Sequence, residues 1–313
     1  MAFVMDPLRS LDIRGDTTFA LMLEAQRRGH RIYTIDPGDL GVAGGRVFAK
    51  VFPVTLRREI GNHAEIGEPE TADLDAVMHI VFQRKDPPVD ESYVTATQIL
   101  SLLKRALVWN RPAGILAANE KLYALHFADL MPDTLVARET VRFLDFLERM
   151  GGEMIVKPLG GRGGEGIFHV RRDDRNLFSM LEQTTRFGTR LAMAQRYLPE
   201  VRRGDKRILL LDGEPLGAVL RVPAEGETRA NLHVGGRPQQ AVLDADDRRI
   251  IERIAPWLER DGLHFVGIDV IGGRLTEVNV TSPTGIQEMN ALDGARYEER
   301  VLERVEKRIA AGA

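Results

Sequence analysis

Residues 265–280 read FVGIDVIGGRLTEVNV and carry the most informative pattern in the chain. Two apolar runs, Phe265–Ile271 and Leu275–Val280, flank a pair of glycines, which is typical of a β-hairpin. Three polar side chains interrupt these runs, namely Asp269, Glu277 and Asn279. Because polar groups within buried strands require partners, two carboxylates and an amide in this hairpin indicate a binding site.

The length of the turn determines which of these side chains share a face. A two-residue Gly-Gly turn would pair Ile271 with Arg274 and place Asp269 on the face opposite Glu277. A three-residue turn puts Asp269, Glu277 and Asn279 on one face, because side chains alternate along a strand. We expect the three-residue turn. A few hard oxygen ligands with room for phosphate oxygens are how magnesium is bound at nucleotides, so the trio predicts a magnesium site.

A solvent-facing strand edge is the other interpretation of the trio. The neighbouring residues Val278 and Val280 are apolar and point to the opposite face. That pattern indicates a buried sheet and favours the metal site over the exposed edge.

A glycine-rich segment, residues 161–166, reads GRGGEG and satisfies the spacing G-x-G-x-x-G. This spacing binds dinucleotides only between a strand and a helix, whereas here the strands Met154–Lys157 and Ile167–Val170 flank it. A Gly-rich hairpin can instead fold over a triphosphate and offer backbone N–H groups beside a lysine. The residues concerned are Gly161, Gly163, Gly164 and Lys157. On this motif alone, a plain hairpin with a surface lysine is the simpler interpretation.

The next segments suggest further contacts to a nucleotide. The strand Leu191–Gln195 leads into Tyr197 and Leu198, where an adenine ring could lie, although core packing explains these residues as well. Two strands joined by an Asp-Gly turn then carry Arg207 and Arg221. Two arginines in one hairpin hint at an anion site, while a solvated strand face is the ordinary alternative.

A long irregular segment follows at residues 223–237. Loops longer than about 12 to 15 residues inside a compact domain are usually binding loops or lids. We expect a lid that carries Arg229 to the phosphates. A disordered surface excursion is the alternative.

The first part of the chain has the pattern of an α/β domain. A short apolar run, a helix that starts after Asp16, a glycine stop and a second strand at Arg31–Ile35 form a βαβ unit. We further expect a strand over Asp75–Phe82 and a helix over Glu91–Arg105. The Pro- and Gly-bearing segment Asn110–Ala118 is the expected domain boundary.

Composition excludes several classes of protein. The 313 residues suffice for about two domains of roughly 150 residues, and Lys+Arg 43 against Asp+Glu 46 gives a net charge of −3, which does not favour nucleic acid or an acidic membrane. Cysteine is absent, which removes disulfides, thiolate metal sites and Cys nucleophiles. No apolar run approaches the roughly 20 residues of a bilayer span, and P-loop and protein-kinase motifs are missing. We expect a cytoplasmic enzyme.

Motifs along nearly the whole chain resemble those of the bacterial glutathione synthetases, in the ATP-grasp superfamily. In chain order they are VMDP at 4–7, LEAQRRG at 23–29, RKDPP at 84–88, NEKL at 119–122, GDKR at 204–207 and TEVNVTSPT at 276–284. Each motif is weak by itself, and their order makes the resemblance specific.

The resemblance implies an α/β (α+β) chain with the ATP-grasp fold. It would consist of an N-terminal α/β domain (1–118), a central lid domain (119–199) and a C-terminal domain with the metal site (200–313). The implied reaction joins γ-glutamylcysteine to glycine at the expense of ATP, through an acyl phosphate. The family also suggests a homo-oligomer, a tetramer, with Mg²⁺ or alternatively Mn²⁺.

Residue roles are implied in the same way. Those assigned to ATP are Lys121, Lys157, Gly161, Gly163, Gly164, Gln195, Tyr197, Leu198 and Asp205. Those assigned to the metal are Asp269, Glu277 and Asn279. Those assigned to the transferring phosphate and the substrate are Arg207, Arg221 and Arg229.

The chain departs from the family pattern at three places. The segment Ala76–Gln83 is a few residues longer, Gly160 stands in place of an expected Asp, and Gln287 stands where the family usually shows Arg. The last departure concerns substrate choice: if an Arg clamps a substrate carboxylate there, Gln287→Arg should improve the apparent KM. Two other functions stay open, namely a ligase for a different acid or amine and a nucleotide-binding regulator without turnover.

Overall fold

The computed structural model describes residues 1–161, 163–224, 226, 230 and 235–312. Within these residues the chain forms three sheets, of eight, four and five strands, which follow one another along the sequence. None of the helices in the described part of the chain has the length and apolar character needed to cross a bilayer.

The first sheet has a parallel centre, in which β2, β1, β7 and β8 lie side by side, and β4 extends it antiparallel to β2. Its strands are β1 (Ala2–Val4), β2 (Ile32–Ile35), β3 (Leu40–Ala43), β4 (Arg46–Leu56), β5 (Ala64–Ile66), β6 (Glu70–Asp73), β7 (Ile80–Gln83) and β8 (Leu107–Trp109). Its helices are α1 (Thr17–Arg27), α2 (Leu74–Val77), α3 (Glu91–Leu100) and α4 (Pro112–Ala117). The βαβ unit predicted at the start of the chain is confirmed, and Asp16 caps α1 by accepting a 2.6 Å hydrogen bond from the Phe19 amide.

Two predictions for this region were wrong in extent. The expected strand Asp75–Phe82 begins only at β7, because Asp73 caps the short helix α2 with a hydrogen bond from the Asp75 amide. The expected helix Glu91–Arg105 ends at Leu100. The Asp75 carboxylate accepts hydrogen bonds from the amides of residues 104–106 and thereby holds them outside the helix.

The second sheet is antiparallel and lies between two short 3₁₀ segments, Tyr123–Leu130 and Pro199–Arg203. It contains β9 (Thr134–Ala137), β10 (Glu153–Pro158), β11 (Phe168–Arg171) and β12 (Ala192–Arg196), with the helices α5 (Thr140–Arg149) and α6 (Leu177–Thr185) packed on it. The glycine-rich segment connects β10 to β11, which confirms that two strands flank it.

The third sheet is also antiparallel, in the order β15-β14-β13-β16-β17. Its strands are β13 (Asp205–Leu211), β14 (Glu214–Val222), β15 (Arg237–Gln240), β16 (Phe265–Ile271) and β17 (Arg274–Asn279). Its helices are α7 (Ala245–Asp261), α8 (Ile286–Asp293) and α9 (Tyr297–Ala310).

The turn of the β16–β17 hairpin is shorter than predicted, yet Asp269, Glu277 and Asn279 share one face as predicted. The turn has two residues, because Ile271 pairs with Arg274, and both glycines have positive φ. Val270 then lies opposite Leu275 while Asp269 lies opposite Glu277, so Thr276 is an extra residue in a β-bulge. Because the bulge shifts the pairing by one residue, side chains that would have pointed to opposite faces now point to the same one, and the polar trio lies on one face of the sheet.

The three sheets follow one another in sequence, but the hydrophobic cores group them differently. One core combines the first sheet and α1 with α8, α9 and one face of the third sheet. Residues of the second sheet and its two helices form a core of their own. The first and third sheets are therefore packed together, and the second sheet stands apart from that joint core.

Asn110, directly after β8, joins the first sheet to the third. Its amide donates to the carbonyl oxygens of Phe265 (2.9 Å) and Val280 (3.1 Å), and its oxygen accepts from the Phe265 amide (2.7 Å). We expect Asn110→Ala to lower the free energy of unfolding by about 3 kcal/mol, because it leaves three buried backbone groups without partners. Urea unfolding would measure this, with Asn62→Ala as a control at an exposed position. If the free energy of unfolding fell as little as in the control, the contact between the first and third sheets would not depend on Asn110.

Candidate active site

Two adjoining cavities lie where the second and third sheets face each other, and Lys157, Ile167 and Glu277 line both of them. The smaller has a volume of about 100 Å³ and the larger about 830 Å³. Every predicted site residue that the structure describes lines one of the two. Arg229 lies outside the described residues, as do residues 225, 227, 228 and 231–234 of the expected lid.

The smaller cavity contains the segment expected to hold adenine. Gln195 at the end of β12, Tyr197 and Leu198 form one wall, and Asp205 at the start of β13 lies on another. The Tyr197 ring stacks on His169, with ring centroids 4.0 Å apart. Burial raises the pKa of Asp205 to about 6, although Arg221 opposes this, and its Oδ1 has no hydrogen-bond partner among the described residues. An apolar slot with a few polar groups suits a nucleoside.

The larger cavity extends from the glycine-rich loop to the first sheet. Gly161, Gly163 and Gly164 lie on one side, and all three have positive φ, which glycine adopts without strain. On the far side, the loops after β1 and β7 contribute Asp6 and Asp86. The carboxyl ends of parallel strands are where open α/β sheets bind ligands.

Two lysines reach the cavity from different elements. Lys121 Nζ lies 2.8 Å from Glu277 Oε1, and Lys157 on β10 donates to the Thr276 carbonyl at 3.4 Å. Lys157 is only 6% exposed, and this burial lowers the pKa of its ammonium to about 8 despite the nearby Glu277. A positive charge kept at this cost inside the protein indicates an anionic ligand.

The predicted arginines form a buried network with the carboxylates. Arg207 holds Asp269 through two bonds of 2.5 and 2.9 Å, and Arg221 lies 2.5 Å from Asp205 and 3.1 Å from Asp269. Burial favours the neutral acid, yet the two guanidinium groups hold the pKa of Asp269 well below its usual range. Both arginines line the larger cavity, so the network positions two cations at the cavity wall.

The polar trio fits a divalent metal ion. Asp269 and Glu277 stay ionised, because Lys121 and Lys157 also lower the pKa of Glu277 against its burial. Asn279 lines the larger cavity and donates through Nδ2 to the Gly267 carbonyl (3.2 Å) and to Asp269 Oδ2 (3.4 Å). Two carboxylates and an amide oxygen are the hard donors that Mg²⁺-type cations prefer.

Gln287 has a structural role that the sequence did not reveal. The side chain is buried in α8, and its amide donates to the carbonyl oxygens of Ile13 (2.8 Å) and Asp16 (2.6 Å). Its oxygen accepts from Arg58 at 3.1 Å. All polar atoms of the Gln287 side chain thus bind the protein, which argues against the expectation that this position concerns substrate choice.

We expect Gln287→Arg to destabilise the protein by about 1–2 kcal/mol. The substitution places a charged guanidinium at a buried position, where it also faces the guanidinium of Arg58. The apparent KM of each substrate should not improve. Urea unfolding and steady-state kinetics would measure both effects. The exchange variant Gln287→Arg with Arg58→Gln should regain stability, whereas an improved KM in the single variant would support the original expectation.

Two important residues escaped prediction. Glu120 Oε1 accepts a 2.7 Å bond from the Thr281 hydroxyl, and its carbonyl accepts from the Val278 amide at 3.0 Å. Arg84, which is buried, donates to the Thr18 hydroxyl (2.9 Å) and the Pro283 carbonyl (3.0 Å). Both fix the segment after β17 against the cavity. Both residues lie in motifs noted in the sequence, Glu120 in NEKL and Arg84 in RKDPP, and these motifs could have revealed them.

Solved structures show the class of the fold. The chain superposes on D-cycloserine synthetase with a TM-score of 0.67 at 17% identity, covering 97% of this chain and 99% of that one. It superposes on the ATP-grasp ligase PsnB, complexed with minimal precursor, with a TM-score of 0.61 at 15% identity, covering 100% and 99%. These likenesses show an ATP-grasp fold, so the expected fold class is confirmed.

Sequence relatives narrow the class to a family. The glutathione synthetase of Agrobacterium fabrum is 45% identical over 309 residues, covering 98% of this chain and 96% of the relative, and that of Mesorhizobium japonicum is 47% identical over 296 residues, covering 94% of each. Residues 1–115 match the N-terminal domain of prokaryotic glutathione synthetase, and residues 120–294 match its ATP-grasp domain. The chain belongs to the prokaryotic glutathione synthetase family. It is therefore a ligase that uses ATP, together with a divalent metal ion.

Proposed function

We propose that the chain joins γ-glutamylcysteine to glycine and releases glutathione, ADP and phosphate. The observation that carries the proposal is the larger cavity, in which the glycine-rich loop, two lysines, two arginines, Glu277 and Asn279 meet the carboxyl end of a parallel sheet. Asp269 lines the adjoining smaller cavity. The 45–47% identity to named glutathione synthetases over nearly the full chain supports the choice of substrates.

The proposed chemistry proceeds through an acyl phosphate. The cysteinyl carboxylate of γ-glutamylcysteine attacks the γ-phosphorus of ATP, and the amine of glycine then displaces phosphate from the acyl carbon. Lys121 and Lys157 would neutralise the phosphates of ATP, and Arg207 and Arg221 the group in transfer. Arg229 is proposed for the same group. Such chemistry depends on positioning and charge neutralisation rather than on a nucleophilic side chain.

The metal is proposed to be Mg²⁺, with Mn²⁺ as a substitute, on Asp269, Glu277 and Asn279. When bound, it would supply positive charge to the phosphate oxygens. The adenosine is assigned to Gln195, Tyr197, Leu198 and Asp205, which line the smaller cavity.

We propose the division into an N-terminal α/β domain (1–118), a central lid domain (119–199) and a C-terminal domain with the metal site (200–313). Residues 223–237 are proposed as the lid loop. We further propose a homo-oligomer, a tetramer, that works in the cytoplasm without nucleic acid.

The purified protein tests the proposal directly. Phosphate release from ATP should require Mg²⁺, γ-glutamylcysteine and glycine together, and mass spectrometry should show glutathione. Faster turnover with another γ-glutamyl dipeptide or another amine would replace these substrates while keeping the ligase chemistry. Binding of ATP without turnover on any pair would indicate a regulator.

A further inference from the structure

Glu288 lies on the wall of the larger cavity, in the first turn of α8. Its carboxylate packs against Gly15, in the loop before α1, so closely that a Cβ on Gly15 would lie 2.9 Å from Glu288 Oε1. The absence of a side chain at Gly15 therefore makes room for the Glu288 carboxylate, and a larger residue at position 15 would displace that carboxylate.

One oxygen of this carboxylate has no partner within the protein. Glu288 Oε2 is shielded from solvent and accepts no hydrogen bond from the described residues. Neighbouring carboxylates on the same wall are different: Asp6 binds Lys85 at 2.7 Å, and Asp16 accepts from the Phe19 amide. The Glu288 side chain lines the cavity, and a carboxylate oxygen that is left without a donor indicates a ligand that supplies one.

The surroundings of Glu288 place it at the reacting end of the cavity. Arg207 on β13 and Arg221 on β14 are the cations that face it, and Asp16 at the start of α1 is the facing anion. Arg207 also donates to the Thr284 carbonyl at 3.3 Å, just before α8 begins. Burial raises the pKa of Glu288, and the two arginines oppose this rise. Glu288 thus shares the wall of the larger cavity with the arginines assigned to the group in transfer.

We propose that Glu288 receives the amino group of the incoming glycine, binding it as ammonium and taking the proton that it must lose before attack. This inference rests on the proposed function. It assigns Glu288 as the general base of the second step, a role that none of the predicted site residues fills.

The step balances as follows. A proton passes from the glycine ammonium to the Glu288 carboxylate, and the nitrogen lone pair forms the C–N bond with the acyl carbon. The C–O bond to phosphate breaks and its electron pair leaves with the phosphate. The remaining excess proton on nitrogen goes to the departing phosphate, and Glu288 returns its proton to solvent.

The test compares two amines in Glu288→Gln. Hydroxylamine is largely uncharged near neutral pH, so it attacks an acyl phosphate without needing a base and yields a hydroxamate. Since general-base catalysis contributes about 10²–10⁴-fold, we expect kcat with glycine to fall about 100-fold. Hydroxamate formation should change little. An equal loss with both amines, or no loss with glycine, would overturn the proposal.

The pH profile gives a readout that a structural role would not move. In Glu288→Gln, the glycine-dependent rate should rise roughly tenfold per pH unit between about pH 7 and pH 9, because glycine then loses its proton in solution. The unmodified protein should show a flatter profile. Parallel profiles in the two proteins would contradict a proton transfer to Glu288.

Two further variants control the experiment. Glu288→Asp keeps a carboxylate at shorter reach and should retain part of the glycine activity, whereas Asp293→Asn, exposed at the far end of α8, should behave as the unmodified protein. A failure of the proposed function would be visible in the unmodified protein, as absence of glutathione. A failure of this inference would be visible only in the Glu288 variants.

Discussion

Replacing Glu277 with Gln is expected to reduce metal-dependent ATP turnover about 1,000-fold while the fold is kept, because a lost metal interaction worth about 4 kcal/mol corresponds to three powers of ten in rate. Asp269→Asn should lose at least as much, since this carboxylate also holds Arg207 and Arg221 in place. Phosphate release measured across a Mg²⁺ titration would show both effects. Glu277→Gln should also need more Mg²⁺ for half-maximal rate.

The matched control is Glu214→Gln, on the exposed end of β14 in the same sheet. It makes the same chemical change far from the trio and should leave turnover unaltered. Near-normal activity of Glu277→Gln and Asp269→Asn at ordinary Mg²⁺ would refute the metal assignment.

Lys157→Met is expected to reduce kcat/KM for ATP by about 100- to 1,000-fold, the usual range for removing one preorganised charge from a reacting group. The melting temperature should rise or stay unchanged. Because burial lowers the pKa of Lys157 to about 8, the protein holds its charged form at a cost in free energy, and methionine removes that cost at similar volume.

The two readouts together make this prediction specific. A residue that served only packing would lose activity and stability in parallel, whereas a phosphate-binding lysine loses activity alone. Lys104→Met, at an exposed position after α3, is the control for the chemical change. ATP affinity equal to that of the control would show that Lys157 does not bind the nucleotide.

The β16–β17 hairpin shows how far the sequence could lead. The alternation of apolar residues predicted both strands and the convergence of the trio, yet the predicted turn was one residue too long. The structure reaches the same face by a two-residue turn and a bulge at Thr276. A bulge depends on backbone pairing across the hairpin, and a threonine at that position carries no local signal for it.

Contacts between distant segments were the other limit. Gln287 binds residues about 270 positions away in sequence, and Asn110 binds the third sheet across 155 residues. Neither belongs to a periodic pattern that could reveal its partner. The unpartnered oxygen of Glu288 likewise is visible only in the folded structure.

The separate core of the second sheet has a consequence for how the chain denatures. Its apolar residues contact one another, whereas one shared core combines apolar residues of the first and third sheets. Calorimetry on the ligand-free protein should therefore resolve two melting events, one for the segment around residues 134–196 and one for the remainder. A nucleotide bound between the two blocks would raise both midpoints and draw them together, so heat capacity would record the coupling that ATP creates between them.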